Sequence, residues 1–389
     1  MTELKASEPT DNPARSTGAS SGGSPNGADA PAAAPFDFIA WDTAEKVAVR
    51  VAGREPLAES YHYSSLEPDF TEFTAEAEIL VGRQTGLHSL HGPARVRVTD
   101  RAGWIKANLA SFQRLLRPFT DRIGERINQT KVAPIGRHIA GAEIGALLGW
   151  MSTRVLGQYD MLVIENENPD DQDIVYYVGP NVLSLEKRFS FPPREFRLWL
   201  ALHEVTHRAQ FTGIPWMRPY FLSLVDSSLS AFDPDPKMFL VALRRAIEEI
   251  RAGRSPLDEG GLVTLLAGPE QHAVLQQMQG LMSVLEGHGD ITMDRAAADR
   301  IPSAGRFRDV LHERRQANGT VRFVQRLVGL EAKMRQYQEG EEFLEAIELS
   351  DPGHVSLLWE GSEYLPTLPE IRNPDAWVSR VTDVRAAAS

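Results

Sequence analysis

The sequence predicts a mainly helical, α+β protein. Three observations carry this. After Phe36, apolar residues recur at three-and-four spacing over most of the chain, the period of a helix with one buried face. Two short apolar runs, 161–164 (MLVI) and 174–178 (IVYYV), are together rich in β-branched and aromatic residues, and turn formers fill the stretch between them. Proline and glycine then divide the C-terminal half into helix-length pieces, with breaks at 213–215, 234–236, 254–261 and 352–353.

Residues 1–35 are rich in Ser, Gly, Pro and Ala and hold almost no large apolar side chain. Such a stretch cannot bury enough surface to offset the entropy of ordering it, so it is expected to be disordered. It has no apolar core of a secretory signal. Folded sequence begins with Phe36, Phe38, Ile39 and Trp41. Residues 104–117 form the next helix, with Asp100 as a cap candidate. A further helix covers 139–156 and carries Gly141, Gly145 and Gly149 on one face, which predicts close packing and burial. The hairpin over 161–178 follows. Its turn holds Asp170, Asp171 and Asp173 but lacks the glycine and terminal glutamate of a calcium loop, so it reads as solvated. The length of 389 residues suits an N-terminal helical region with the hairpin over 36–190 and a second helical region over 191–389, or one continuous domain over 36–385.

Composition removes several classes of function. There are 53 acidic residues against 41 Lys and Arg, a net charge of −12, which argues against nucleic acid or an anionic membrane as the main partner. No stretch is apolar for long enough to span a bilayer, so a cytoplasmic protein is expected. The absence of cysteine excludes disulfides, thiol catalysis and cysteine-held metals. Any metal must be held by His, Asp and Glu.

One segment points to a metal. Residues 203–207 read His-Glu-Val-Thr-His, and on a helix two histidines four apart stand one turn above each other on the same face. The flanks supply that helix. Pro192 and Pro193 suit a first turn, Gly213 suits a left-handed C-terminal position, and Pro215 lies just beyond. Phe196, Trp199, Leu200, His203, His207 and Gln210 share one face, and Leu198, Leu202, Val205 and Ala209 cover another. A helix apolar on two sides is buried.

Catalytic zinc takes three protein ligands and keeps one position open. The third ligand is sought in 269–294, a helix opened by Pro269 whose apolar stripe of Val274, Met278, Leu281, Met282 and Leu285 meets Glu286 and then Asp290. Carboxylates at the end of a buried stripe need a partner, and a zinc ion on two histidines is one. His288 is the rival ligand. On a regular helix it points about 200° away from Glu286, so Glu286 is favoured unless Gly287 and Gly289 bend the helix. The remaining histidines, His62, His88, His91, His138, His272, His312 and His354, have no comparable context.

The Glu-x-x-x-Asp pair resembles the second helix of gluzincin peptidases, which implies Glu286 as a zinc ligand and Asp290 as the group that orients a ligating histidine. More of the chain resembles the actinobacterial zincin-like metallopeptidase type 2 family, also labelled coenzyme F420 biosynthesis-associated. The blocks that carry the likeness are 101–112, 145–149 with 154–160, 179–181, 196–211, 282–290, 331–337 and 365–368. The resemblance implies a zincin-like fold with a buried metal-motif helix, a second ligand-bearing helix and a small β-hairpin or sheet. It implies one zinc ion on His203, His207 and Glu286, and Glu204 as general base in the hydrolysis of a peptide bond. A donor for the oxyanion is sought among His288, Tyr159 and Arg208, and the hairpin is expected to offer an edge strand to an extended peptide. Two other readings compete. One is a metal hydrolase of a small amide or ester. The other is a zinc-containing interaction protein without turnover, for which the acidic helix over 331–348 is a candidate contact face.

Overall fold

A computed structural model describes residues 39–55, 57, 59–127, 133–161, 173–230, 269–316 and 330–388. The expected tail over 1–35, the turn of the hairpin up to residue 172 and the breaks at 234–236 and 254–261 lie outside the described residues; Asp173, the last residue of that turn, is buried against Arg208 rather than solvated. The helices are α1 (Trp41–Ala52), α2 (Leu66–Thr85), α3 (Arg101–Ile127), α4 (Ala133–Ser152), α5 (Gly179–Phe189), α6 (Pro193–Gly213), α7 (Met217–Ser230), α8 (Pro269–Ala297), α9 (Ala304–Gln316), α10 (Leu330–Ser350), α11 (His354–Leu357), α12 (Leu368–Ile371) and α13 (Pro374–Ala388). Three strands, β1 (Arg95–Thr99), β2 (Gly157–Tyr159) and β3 (Ile174–Val178), form one sheet in the order β1-β3-β2.

β3 is central, and all five of its residues are buried, as the apolar run over 174–178 predicts. It pairs parallel with β1 and antiparallel with β2. Two corrections arise here. The outer arm of the hairpin is 157–159 rather than 161–164: Met161 lies outside any strand, and 162–164 fall outside the described residues. The sequence also predicts no strand at 95–99, where β1 lies.

α3 opens as expected, with the Asp100 carboxylate accepting from Gly103 N at 2.7 Å. α4 differs from expectation at both ends and in its burial. It starts at Ala133 and stops at Ser152, because Asn181 Nδ2 donates to the carbonyls of Ser152 and Val155, each at 2.7 Å, and so turns the chain into β2. Asn181 in turn accepts from Arg101 Nε, so one buried amide joins the starts of α3 and α5 to the chain entering β2. Only the glycine face of α4 is tightly packed. Gly141, Gly145 and Gly149 lie on the backbone of Ala40, Ala44 and Ala48, while Ile135 and Ile139 on other faces are exposed.

The largest apolar cluster runs from Leu66 to Leu365 and so crosses the boundary expected near residue 190. At its centre is α6, packed between α2 and α8. Two arginines secure the back of α6. Arg197 bonds Glu186 of α5 and Asp69 of α2 at 2.8 and 2.6 Å. Arg208 reaches Glu78 of α2 and Asp173 at the start of β3, both at 2.7 Å. Buried charges of this kind are tolerated only when fully partnered. α6 begins at Pro193, as predicted. Gly213, expected in a left-handed conformation, is instead the last helical residue. It is glycine because a side chain there would meet the carbonyl of His88 at 2.7 Å. No helix among the described residues is long and apolar enough to cross a membrane.

Candidate metal centre

From Phe196 to Thr212, every residue of α6 is buried except two, His203 and His207, which are half-buried. Both face a cleft of about 420 Å³ that α3, the end of α4, β2, α7 and α8 complete. Glu286 on α8 meets them there. The Nε2 atoms of His203 and His207 are 3.2 Å apart, and Glu286 Oε2 lies 3.5 Å from His207 Nε2. One donor atom from each of the three residues lies within 4.8 Å of the others. Tetrahedral zinc with nitrogen and oxygen ligands at about 2.0–2.1 Å spaces them about 3.3–3.5 Å apart, which both measured separations approach.

The charge of the donor set fits a cation as well. Glu204 and Glu286 are both buried, at 7% exposure each. Burial pushes Glu204 up to about 7; Glu286 adds to this, while His207 and the Tyr159 N–H oppose it. For His207, burial alone would lower the pKa. The Glu286 carboxylate 3.5 Å away, with help from Glu204 and Gln210, outweighs it and raises the imidazole to about 9. Two carboxylates in low dielectric thus draw positive charge to Nε2, and a divalent ion satisfies them in place of a proton.

A residue that the sequence did not single out fixes the tautomer of His207. Gln210, fully buried one turn along α6, bonds three groups. Its Nε2 lies 3.0 Å from the Leu285 carbonyl, which can only accept, so that end of the side chain is the amide NH₂. Its Oε1 therefore faces His207 Nδ1 at 3.0 Å, and Nδ1 carries the hydrogen. The lone pair of His207 is left on Nε2, pointing at His203 and Glu286. The second hydrogen of the amide goes to His288 Nδ1, also at 3.0 Å. Gln210→Leu is expected to weaken zinc binding by about 10–100-fold, measured by competition with a chelating dye, because it releases the tautomer and takes from His207 Nδ1 and His288 Nδ1 the side chain that bonds both.

His288 occupies a different place from that of a ligand or a substrate-facing donor. α8 runs without a break through Gly287 and Gly289, so His288 points away from Glu286. Its ring packs on Trp359 with centroids 4.9 Å apart, and it is not among the residues that line the cleft. Burial holds its pKa down at about 4, so it is a neutral acceptor for Gln210. Asp290 lies one turn beyond Glu286 and is half-buried; the Nδ1 of His207 is bonded to Gln210 instead.

Of the other oxyanion candidates, Arg208 lies on the back of α6 with its guanidinium engaged by Glu78, Asp173 and the Gly92 carbonyl. Tyr159 does line the cleft, but its hydroxyl accepts from Arg218 Nη2 at 2.8 Å. The Tyr159 backbone has a clearer part in the site. Asp160 N donates to Ile174 O and Val178 N to Leu156 O, so the residues between, Gly157 and Tyr159, turn their backbone groups to the outer edge of the sheet. There the Tyr159 N–H donates to Glu204 Oε2 at 3.0 Å. Gly157 makes room for this contact: a methyl group there would stand 2.7 Å from Glu204 Oε1. Gly157→Ala is expected to keep its zinc and lose about 100-fold in turnover, since a shift of about 1 Å in a catalytic group costs that much. Paired measurements of zinc content and kcat would check it.

A family model for zincin-like metallopeptidases matches residues 39–378. A protein from Chloroflexus aurantiacus, its crystal structure described as that of a proposed hydrolase with a novel fold, is 30% identical with a TM-score of 0.65. That match covers 88% of this chain and 99% of the other. No curated protein matches the chain.

Proposed function

We propose that this chain, which belongs to the zincin-like metallopeptidase family, hydrolyses peptide bonds with one zinc ion held by His203, His207 and Glu286. The observation that carries the reading is the meeting of these three side chains at the base of a cleft, beside a buried carboxylate, Glu204, that has its own backbone donor. Zinc in such a site lowers the pKa of water and polarises the carbonyl under attack. The protein's own groups do the rest. Glu204 accepts the proton of the attacking water and passes it to the leaving amine. The Tyr159 N–H holds one carboxylate oxygen of Glu204, so the other is aimed without an entropic search. Gln210 keeps the His207 lone pair turned inward. Asp290, with His207 already committed to Gln210, is left to orient His203. On the outer edge of β2 the Tyr159 N–H is taken by Glu204, which leaves the Gly157 N–H and the carbonyls of Gly157 and Tyr159 as the groups that would pair with an extended peptide backbone.

The test is cleavage of an internally quenched peptide library by the zinc-loaded protein, with and without a zinc chelator. Chelator-sensitive cleavage supports the proposal. Zinc bound at full occupancy with no cleavage of any peptide would contradict it and turn attention to the interaction-protein reading.

A further inference from the structure

The cleft around the metal residues has walls of one chemical character. Six of its side chains are apolar and half-buried: Phe112 and Leu115 on α3, Met151 on α4, Val155 just after it, Phe221 on α7 and Met282 on α8. Each keeps part of its surface exposed although it stands in a concavity, and contiguous apolar surface of this kind is stabilised when an apolar ligand covers it. The charged side chains that line the cleft, among the described residues, are Asp160, Glu204 and Glu286, with no lysine or arginine. An acidic substrate group would give up its water there and meet no lysine or arginine in return. The volume of about 420 Å³ also exceeds the ~150 Å³ that encloses a benzene ring, so an aromatic side chain fits together with the backbone that carries it.

We infer that the cleft selects substrates with a large apolar side chain beside the scissile bond and rejects those with an acidic group at that position. This rests on the zinc-hydrolase reading of the same site. Met151 and Met282 make the selection one of class rather than of a single residue, because unbranched thioether side chains adapt to different shapes. Phenylalanine, leucine and methionine side chains are accepted within about ten-fold of one another.

Calorimetric titration of the zinc-loaded full chain with two capped amino-acid hydroxamates tests this. The pair differs only in the side chain, benzyl in one and carboxyethyl in the other. The benzyl compound is expected to bind at least about 30-fold more tightly. Phe112→Lys, a change at a half-exposed position on α3 that removes apolar wall and supplies the basic group the cleft lacks, is expected to cut that ratio below about three-fold with zinc content unchanged. Equal affinity of the two compounds for the unaltered protein, or tighter binding of the carboxyethyl one, would overturn the selectivity and leave the zinc site standing. Binding of neither to the zinc-loaded chain would remove the hydrolase reading, and the inference with it.

Discussion

Glu204→Gln should bind zinc like the unaltered protein and lose about 10²–10⁴-fold in kcat, the usual contribution of a general base. The two side chains have the same shape. The amide oxygen of glutamine can still accept from the Tyr159 N–H, which holds Glu204 Oε2 at 3.0 Å, so the strand and helix have no reason to move. What disappears is the ability to take a proton from water. Glu204 is also well placed to be needed: it is buried, and β2 presses against it through a glycine whose added methyl would stand 2.7 Å from its oxygen. Kinetics on a quenched peptide, with zinc measured on the same sample, separate the two effects. Undiminished turnover would assign the proton transfer to another group.

Glu286→Ala is expected to lower zinc affinity by at least about 10³-fold, since it removes one of three ligands and the only anionic one. The protein should still fold. In the metal-free state Glu286 is a buried carboxylate 3.5 Å from an imidazole, and removing it also removes its desolvation cost. Zinc at 1,000 times its dissociation constant stabilises a folded protein by about 4 kcal/mol, so the rise in Tm on adding zinc should vanish in this variant. His288→Ala is the contrasting case. His288 sits behind Gln210 and against Trp359, and its loss should cost no more than about 10-fold in affinity. A variant pair that behaves the other way round would make His288 the ligand.

The features legible in the sequence are those with a local cause. The start of α6 at Pro193, the Asp100 cap and the histidine pair each depend on residues a few positions apart, and the periodicity places them without tertiary information. Glu286 was legible for a related reason: on an unbroken α8, the line from Met278 through Met282 ends at it. Gln210 was not legible in its role. It appears as one polar residue on a buried face, and its partners at Leu285 and His288 are more than 70 positions away. β2 was missed because three residues, Gly-Gln-Tyr, carry no alternation, and it owes its strand conformation to β3 and to the anchoring of Val155 by Asn181. β1, with Arg-Val-Arg-Val-Thr, does alternate, but two arginines hide it beside the wholly apolar β3. Gly213 shows the limit of pattern reading: it was given the role its spacing suggests, yet close approach of the His88 carbonyl explains the glycine.

The central claim is that His203, His207 and Glu286 form a zinc site. Its most direct test is the zinc content of the full chain by inductively coupled plasma mass spectrometry, after purification without chelator or metal-affinity resin. The doubly substituted protein His203→Ala, His207→Ala serves as the control. One zinc per chain in the unaltered protein and none in the control is the predicted result. A protein that stays zinc-free after dialysis against zinc, or a control that retains its zinc, would contradict the account.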